Sequence, residues 1–356
     1  MSVRPATLLT CLLVFILHPP VALAQDSGFK LAVRDVGIGI GDVPRLDGLR
    51  FNYRDRRLKR IGGLNATLWA PRDGSEGSVI GIALGLPITG GGRVAGLALG
   101  AGVLAEESLE GIAIAALGLG VVEGPFRGIG IGGLGLGAQG DLEGIMISGV
   151  GLGTGGSIRG VAIGGIGGGG DVQGLAVGGL GVGAGGDVSG LIFGGVGTGV
   201  GGDVHGIAIG GVGVGAGRSV TGIAIGGVGV GAGKSVTGLA VRGIGVGAGS
   251  EIKGLVIAGV GVGAQKLTGL TVAGVGAGGL EVTGLVLAPA YFQVEVGGTL
   301  RGVSVSAVNR IRGQQRGLTI GIVNIAEELH GLQLGLVNIA RNKSSFSVLP
   351  IANFHR

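Results

Sequence analysis

The chain has 356 residues, of which 90 are glycine, with 46% hydrophobic, 3% aromatic and 13% charged residues and a formal net charge of +5. That much glycine, against about 7% in ordinary proteins, excludes a standard globular composition; Ile, Val and Leu at fixed spacing exclude a polar disordered chain; the missing Gly-X-Y period excludes collagen. The small positive charge gives only weak support for an anionic partner.

The first element is a secretory signal peptide over residues 1–24. Arg4 supplies the positive n-region, Leu8 to Leu17 the apolar stretch, and Ala22-Leu23-Ala24 the small-residue cleavage site before Gln25. The apolar run is too short to span a bilayer as a helix. Cys11, the one cysteine, lies inside this segment. The mature chain therefore offers no disulfide, thiolate nucleophile or cysteine metal site. Export without cysteines leans towards a bacterial source.

Residues 25–75 read as an N-terminal cap with degenerate first repeats. They hold Phe51, Tyr53 and Trp69 beside the basic residues Arg50, Arg54, Arg56, Arg57, Lys59 and Arg60. A solvated cap is the favoured reading of this cluster over a phosphate-binding patch, and export argues against nucleic acid.

Residues 76–344 form one Gly-rich β-repeat domain. A glycine precedes each apolar-x-apolar triplet, from Gly81 through Gly222 to Gly331, at spacings of 14 to 18 residues, with weaker copies at Gly48 and Gly63. We call this residue the anchor. Such recurrence is the signature of a repeat architecture. The unit is not helical, because glycine at every second place costs about 1 kcal/mol per residue. It alternates with period 2, and the phase slips by one at Gly226-Gly227. If the chain turns a corner there, both apolar pairs face one interior. The expectation is then Ile223, Ile225, Val228 and Val230 inward with Val220, Val236 and Ile252 as a third apolar row, and Ala224, Gly229 and Gly231 outward. The polar turn repeats as well: Asp141, Ser157, Asp171, Asp187 and Asp203 fall three residues before successive anchors, and Glu143, Arg159, Gln173, Ser189 and His205 fall just before them. Charge should therefore form two stripes along one edge, leaving apolar Gly/Ala faces elsewhere.

The last copies change, to "GLTIGIVNIAEELH" at 317–330 and "GLQLGLVNIARNKS" at 331–344. They align with the Gly222 unit if Asn324 and Asn338 replace its corner-side glycine, in left-handed backbone, stacked so that their amides hydrogen-bond from coil to coil. Residues 345–356, with Phe346, Pro350 and Phe354, read as a C-terminal capping tail. In "GLQLGLVNIA" and "VLPIANFHR" the sequence resembles a family of exported bacterial surface-repeat proteins, whose repeats read G-L-Q-x-G-L-x-N-x-A and end in an apolar, proline-containing tail. The close match covers about residues 317–356. The Gly-rich bulk lacks the Gln and Asn. The resemblance implies an envelope or surface location and no activity.

No motif points to chemistry. "GKS" at 233–235 lies in the repeat, and "GRS" one unit earlier marks Lys234 as an ordinary turn position. The "GGDV" copies at Asp171, Asp187 and Asp203 give one carboxylate per coil, too few for calcium, which wants six to eight oxygens; a solvated polar edge is preferred. His205 and His330 are eight repeats apart, His355 lies in the tail, and no Ser/His/Asp set is defensible. Glu106-Glu107 and Glu327-Glu328 read as turn charge. "NAT" at Asn65 is a glycan acceptor only in a eukaryotic secretory route. An ice-binding face would need ordered Thr-x-Thr rows, which are absent.

These features predict an all-β chain: a single elongated β-solenoid of about 17–19 Gly-rich repeats, each about 14–17 residues, with capped ends. An outer-membrane β-barrel is the alternative, disfavoured by the recurrent phase slip and the scarcity of aromatics. The expected function is non-enzymatic: a rigid exported rod of the bacterial envelope, at the surface, outer membrane or periplasm, without catalytic, cofactor-binding or metal residues. Its expected partner is an envelope component (membrane surface, wall polymer or protein) met through the apolar Gly/Ala faces, with self-association as a further route.

Overall fold

The structure is a computed structural model describing residues 28–69, 71 and 77–356. The signal-peptide reading and Cys11 fall outside these residues, as does part of the 25–75 segment. Strand makes up 78% of the described residues, arranged as a β-solenoid of about 18 turns. At ~4.8 Å per turn the rod is roughly 80–90 Å long.

Each coil hydrogen-bonds to the next in parallel and in register. In the Gly222 coil, Ser219–Gly226 pairs with Val204–Gly210 on one side and Ser235–Arg242 on the other, while Gly229–Ala232 pairs with Gly213–Ala216 and Gly245–Ala248. Like therefore stacks on like: Gly206, Gly222 and Gly238 form one column, Ala208, Ala224 and Ala240 another. This parallel stacking rules out the barrel, whose neighbouring strands would run antiparallel. Antiparallel pairing occurs at the two ends. Phe29–Val33 folds back on Val36–Ile40, and Val348–His355 returns along Val323–Ala340.

The anchor glycines carry the repeat geometry. Every one, from Gly48 to Gly331, has positive φ, +126° at Gly222. A Cβ on Gly222 would stand 2.1 Å from the carbonyl oxygen of Gly206, the anchor below it. Only glycine satisfies both the handedness and the close approach. The sequence reading placed the left-handed corner at Gly226-Gly227 instead. Those residues do bend the chain, and a Cβ on Gly227 would meet the Gly211 oxygen at 2.0 Å, but their φ is not positive.

That displacement inverts the facing of the triplet. Ala224 is fully buried, whereas Ile225 is 38% and Val228 45% exposed, and Ile223 is only half-buried. Ile223, Ile225 and Val228 therefore point outward, against expectation, and Ala224 points inward. The interior is built from Val220, Ala224, Val230 and Ala232, all buried. Val220 and Val230 face inward as expected, and Gly229 and Gly231 face outward as expected. The physical reason is the φ > 0 residue at the head of the triplet, which resets the alternation before it begins. The interior is tightly filled: a Cβ on Gly226 would lie 2.4 Å from the Gly229 oxygen. Bulk in one column is offset by smallness in its neighbour. Phe126 occupies the space beside Gly130, whose Cβ would sit 2.4 Å from the Phe126 ring.

Both ends replace this small apolar filling with polar side chains. Arg50, aligned with Asn65 and Ala83 in the Ala224 column, is completely buried. It pairs with Asp55, donates to Asn65 Oδ1 at 2.8 Å and meets Asp42 at 3.2 Å, while Asn65 and Asn52 donate to Asp55 at 2.9 and 2.8 Å. At the other end Asn309 donates to Asn324 and Asn324 to Asn338, each at 2.8 Å. The coil-to-coil amide ladder is as expected. Its location is not: these Asn residues align through Phe292 with the inward Val230 column, not with a corner glycine, and none has positive φ. Gln333 takes the Ala224 column and donates to Gln315 at 3.0 Å. Of the aromatics assigned to the caps, Phe51, Tyr53, Phe346 and Phe354 are exposed.

Candidate functional site

The surface divides into three kinds of face, each set by one stretch of the repeat. The first is the strand after the anchor. Its two outward positions are Ile, Leu, Val or Phe in every coil from Gly81 to Gly331, for example Ile112 and Ile114, Leu191 and Phe193, Ile223 and Ile225, Leu318 and Ile320. No charge interrupts it. A ridge at the next bend borders it, formed by Leu134, Val150, Leu180, Val196, Val212, Val228, Ile244 and Val260, all exposed. The expected Gly/Ala face is thus, on this side, a ribbed aliphatic one.

The second face is bare. Gly229 and Gly231 point outward, as do Gly245 and Gly247 in the next coil, in register. A Cβ placed on Gly229, Gly231 or Gly247 would meet nothing within 4 Å. Glycine here is not demanded by the coil's own packing, unlike at the anchors.

The third is the polar edge. Ser189, His205, Thr221, Thr237 and Lys253 stack in register, as do Ser235, Glu251, Lys266 and Glu281, giving the two stripes expected. The Asp residues of the "GGDV" copies, expected as a solvated polar edge, have a structural task. Asp171 Oδ1 accepts the amide of Asp187, Asp187 Oδ1 that of Asp203, and Asp203 Oδ1 that of Ser219, each at 2.8 Å. Each carboxylate thereby clamps the turn of the following coil. The Asp203 amide, and then the guanidinium of Arg218, hold the Asp187 carboxyl below the usual carboxylate range. Ion pairs also run between coils, including Arg159 with Asp141 and Glu143 at 3.0 and 2.9 Å, and Arg341 with Glu327 at 2.9 Å. Exposed pairs of this kind add little stability singly.

The remaining sequence candidates are scattered. Lys234 is exposed on its turn, where its amide donates to Arg218 O at 2.7 Å. His205 stands alone in the edge column, while His330 stacks on His355 with ring centroids 6.3 Å apart. Glu107 takes Arg93 at 2.6 Å. Arg57 pairs with Asp42, Arg60 with Asp47, and Asn65 is buried beside Arg50, so its amide is not presented for glycosylation. Among the described residues no group of three His, Cys, Asp or Glu is placed to hold a metal ion.

Two features escaped the sequence reading. One is the aliphatic ribbon itself. Its signal is in "GLQLGLVNIA": Gln333 shares the Ala224 column, and a Gln between two Leu marks the middle position as the odd one out. The other is Arg242, which replaces the inward Gly226 and is only 5% exposed. Its Nη1 donates across the bend to Gly245 O at 3.1 Å, as Ser148 Oγ does to Gly151 O at 2.6 Å at the equivalent corner six coils earlier. Its Nε and Nη2 have no hydrogen-bond partner. Burial pushes its pKa down to about 9. A shallow, mostly apolar depression of about 380 Å³ lies on the same corner farther along, lined by Leu287, Pro289, Val305, Ala307, Ile320 and Ile322 among others.

No family model, curated protein or solved structure matches this chain.

Proposed function

We propose that this chain is a non-enzymatic structural or interaction protein of the bacterial cell envelope, a rigid exported rod that works through its long apolar faces. The solenoid is compatible with a structural or interaction repeat protein. The observation that carries the reading is the unbroken aliphatic ribbon. At four strand residues across, about 13 Å, and roughly 80 Å long, it presents on the order of 1,000 Å², where the largest apolar patch of a typical monomer covers ~300–600 Å². A surface of that size meets something.

Two sequence features support the location: the signal-peptide pattern over 1–24, and the resemblance of 317–356 to exported surface-repeat proteins. The Gln and Asn of that repeat have an evident physical task in this chain, as internal amide contacts from Gln333 to Gln315 and from Asn324 to Asn338.

Fractionation of cells producing the full chain tests the reading. The expected result is a mature protein beginning at Gln25, recovered with the envelope, and scattering from a thin particle about 80–90 Å long. Recovery in the cytoplasm with residues 1–24 still attached contradicts the exported rod.

A further inference from the structure

We infer that the aliphatic ribbon is a lateral interface between two copies of this chain. The inference rests on the reading that the rod acts through its apolar faces, and it names the partner.

Area is the first argument. Two ribbons of about 1,000 Å² facing each other bury roughly 2,000 Å², at the top of the range for stable specific complexes, ~1,200–2,000 Å². The second is periodicity. Every rung of the ribbon repeats at the parallel-strand spacing of ~4.8 Å, and packed sheets sit ~10 Å apart with strands nearly aligned. A second copy presents the same spacing, so its rows of Ile and Leu run between those of the first along the whole length. A lipid surface offers no such register. The third is composition. Within the coils from Gly81 to Gly331 Phe193 is the one aromatic on the ribbon, Phe354 of the returning tail strand lies beside Leu332 at its end, and these coils place no Trp or Tyr on it; membrane-facing surfaces concentrate Trp and Tyr at the polar–apolar boundary. The fourth is the border. Charged side chains such as Arg159, Lys253 and Arg301 stand just before the anchors, beyond the bend that ends the ribbon. A dry aliphatic centre with charged groups along this one margin matches the polar rim of a protein–protein interface on that side. The glycine face, bare from Gly118 to Gly278 and carrying Tyr291 and Gln293 in the coil after that, is left to solvent.

Sedimentation and small-angle scattering of the mature chain, without detergent, test this. The expected particle is a dimer whose length equals that of one rod and whose cross-section is thicker. The variant F193K/I225K/I257K changes outward side chains on alternate coils. It should weaken dimerisation ~100-fold or more, because like charges then face each other across the interface, while circular dichroism stays that of a β-protein. F193T/I225T/I257T, strand-compatible and uncharged, covers the case in which the lysine variant does not fold; it too should shift the protein to monomer. G199S/G231S/G263S on the glycine face should leave the dimer intact. An end-to-end dimer of doubled length overturns the inference, as does a dimer broken by the serine variant and not by the threonine one. A monomer that floats with vesicles of phosphatidylethanolamine and phosphatidylglycerol overturns it while leaving the apolar-face reading standing. A monomer that binds neither itself nor vesicles overturns both.

Discussion

The Gly222 and Gly317 coils share one trace and the same outward chemistry, Ile223 and Ile225 in one, Leu318 and Ile320 in the other. Their interiors are opposites. Val220, Ala224 and Val230 fill the first, while Gln315, Thr319 and Asn324 hold the corresponding columns in the second, every one of these six residues buried. The outside stays apolar where the inside turns polar, the reverse of what water demands of an isolated globule. What the interior requires is continuity along each column. In the middle this is van der Waals contact between small side chains. At the C-terminal end it is a chain of amides in which each Asn gives to the next, so that the Asn side chains satisfy one another, while Gln333 Oε1 is left without a partner.

The largest test places a charge inside the apolar stretch. Ala224→Asp puts a carboxylate between Ala208 and Ala240, both fully buried, with no partner in the column. It should cost more than about 4 kcal/mol in denaturant unfolding, whereas Ile225→Asp, outward, should leave the stability of the monomer nearly unchanged. Equal effects at the two sites would undo the assignment of inside and outside. Next, Gly222→Ala should cost roughly 2–3 kcal/mol, from positive φ and the approach to Gly206 O, while Gly231→Ala, with open space around its Cβ, should stay within about 0.5 kcal/mol. Urea unfolding of the pair measures the contrast directly.

Asn324→Leu probes the ladder. It strands Asn338 Oδ1 and takes one acceptor from Asn309 Nδ2, which keeps Ser306 O and Ile320 O, and should cost about 1–3 kcal/mol; a double-mutant cycle with Asn338→Leu should show strong coupling. Additive losses would mean that the ladder is not a unit. Arg242→Ala matches Ala258 above it and removes two unpartnered donors, so it should raise stability by about 1 kcal/mol. In the parent chain the unfolded state holds the Arg242 proton more tightly than the folded state does. Stability should therefore climb as pH rises above about 9, and Arg242→Ala should flatten that slope.

The smallest effect separates the regions by acid. Asp187 has a lowered folded pKa, so its contribution is present above the unfolded carboxyl range and is lost as pH falls through and below that range. Asp187→Asn, which keeps an acceptor for the Asp203 amide, should blunt that loss. Hydrogen exchange in acid should show the coils near Asp187 opening before those around Asn324, whose amides do not titrate.

Much of this architecture was legible in the sequence. The anchor glycines at 14 to 18 residue spacing fixed coil number, parallel stacking and the polar edge, because in-register stacking leaves no freedom once the period is constant. The facing of Ile223 and Ala224 was not legible. Alternation tells which residues share a side, never which side, and the usual tie-breaker, that larger apolar residues go inside, fails when the bore is narrow. Asn324 was read correctly as a ladder residue and misplaced by one position, because the later coils are shorter at the bend by the corner residue. The burial of Arg242 leaves no signal in the sequence, since arginine seldom goes inside. The aliphatic ribbon, which carries the proposed function, was hidden behind that same tie-breaker.

The open glycine column of Gly231 and Gly247 has a consequence of a different sort. Here the chain is a ruler without markings: the interval between rungs is set by backbone hydrogen bonds alone, and no side chain has been written on it. Residues added along that column would inherit the spacing of the coils without asking the fold to move. Of all the surfaces of this rod, it is the one on which a row of new chemical groups can be drawn at molecular pitch.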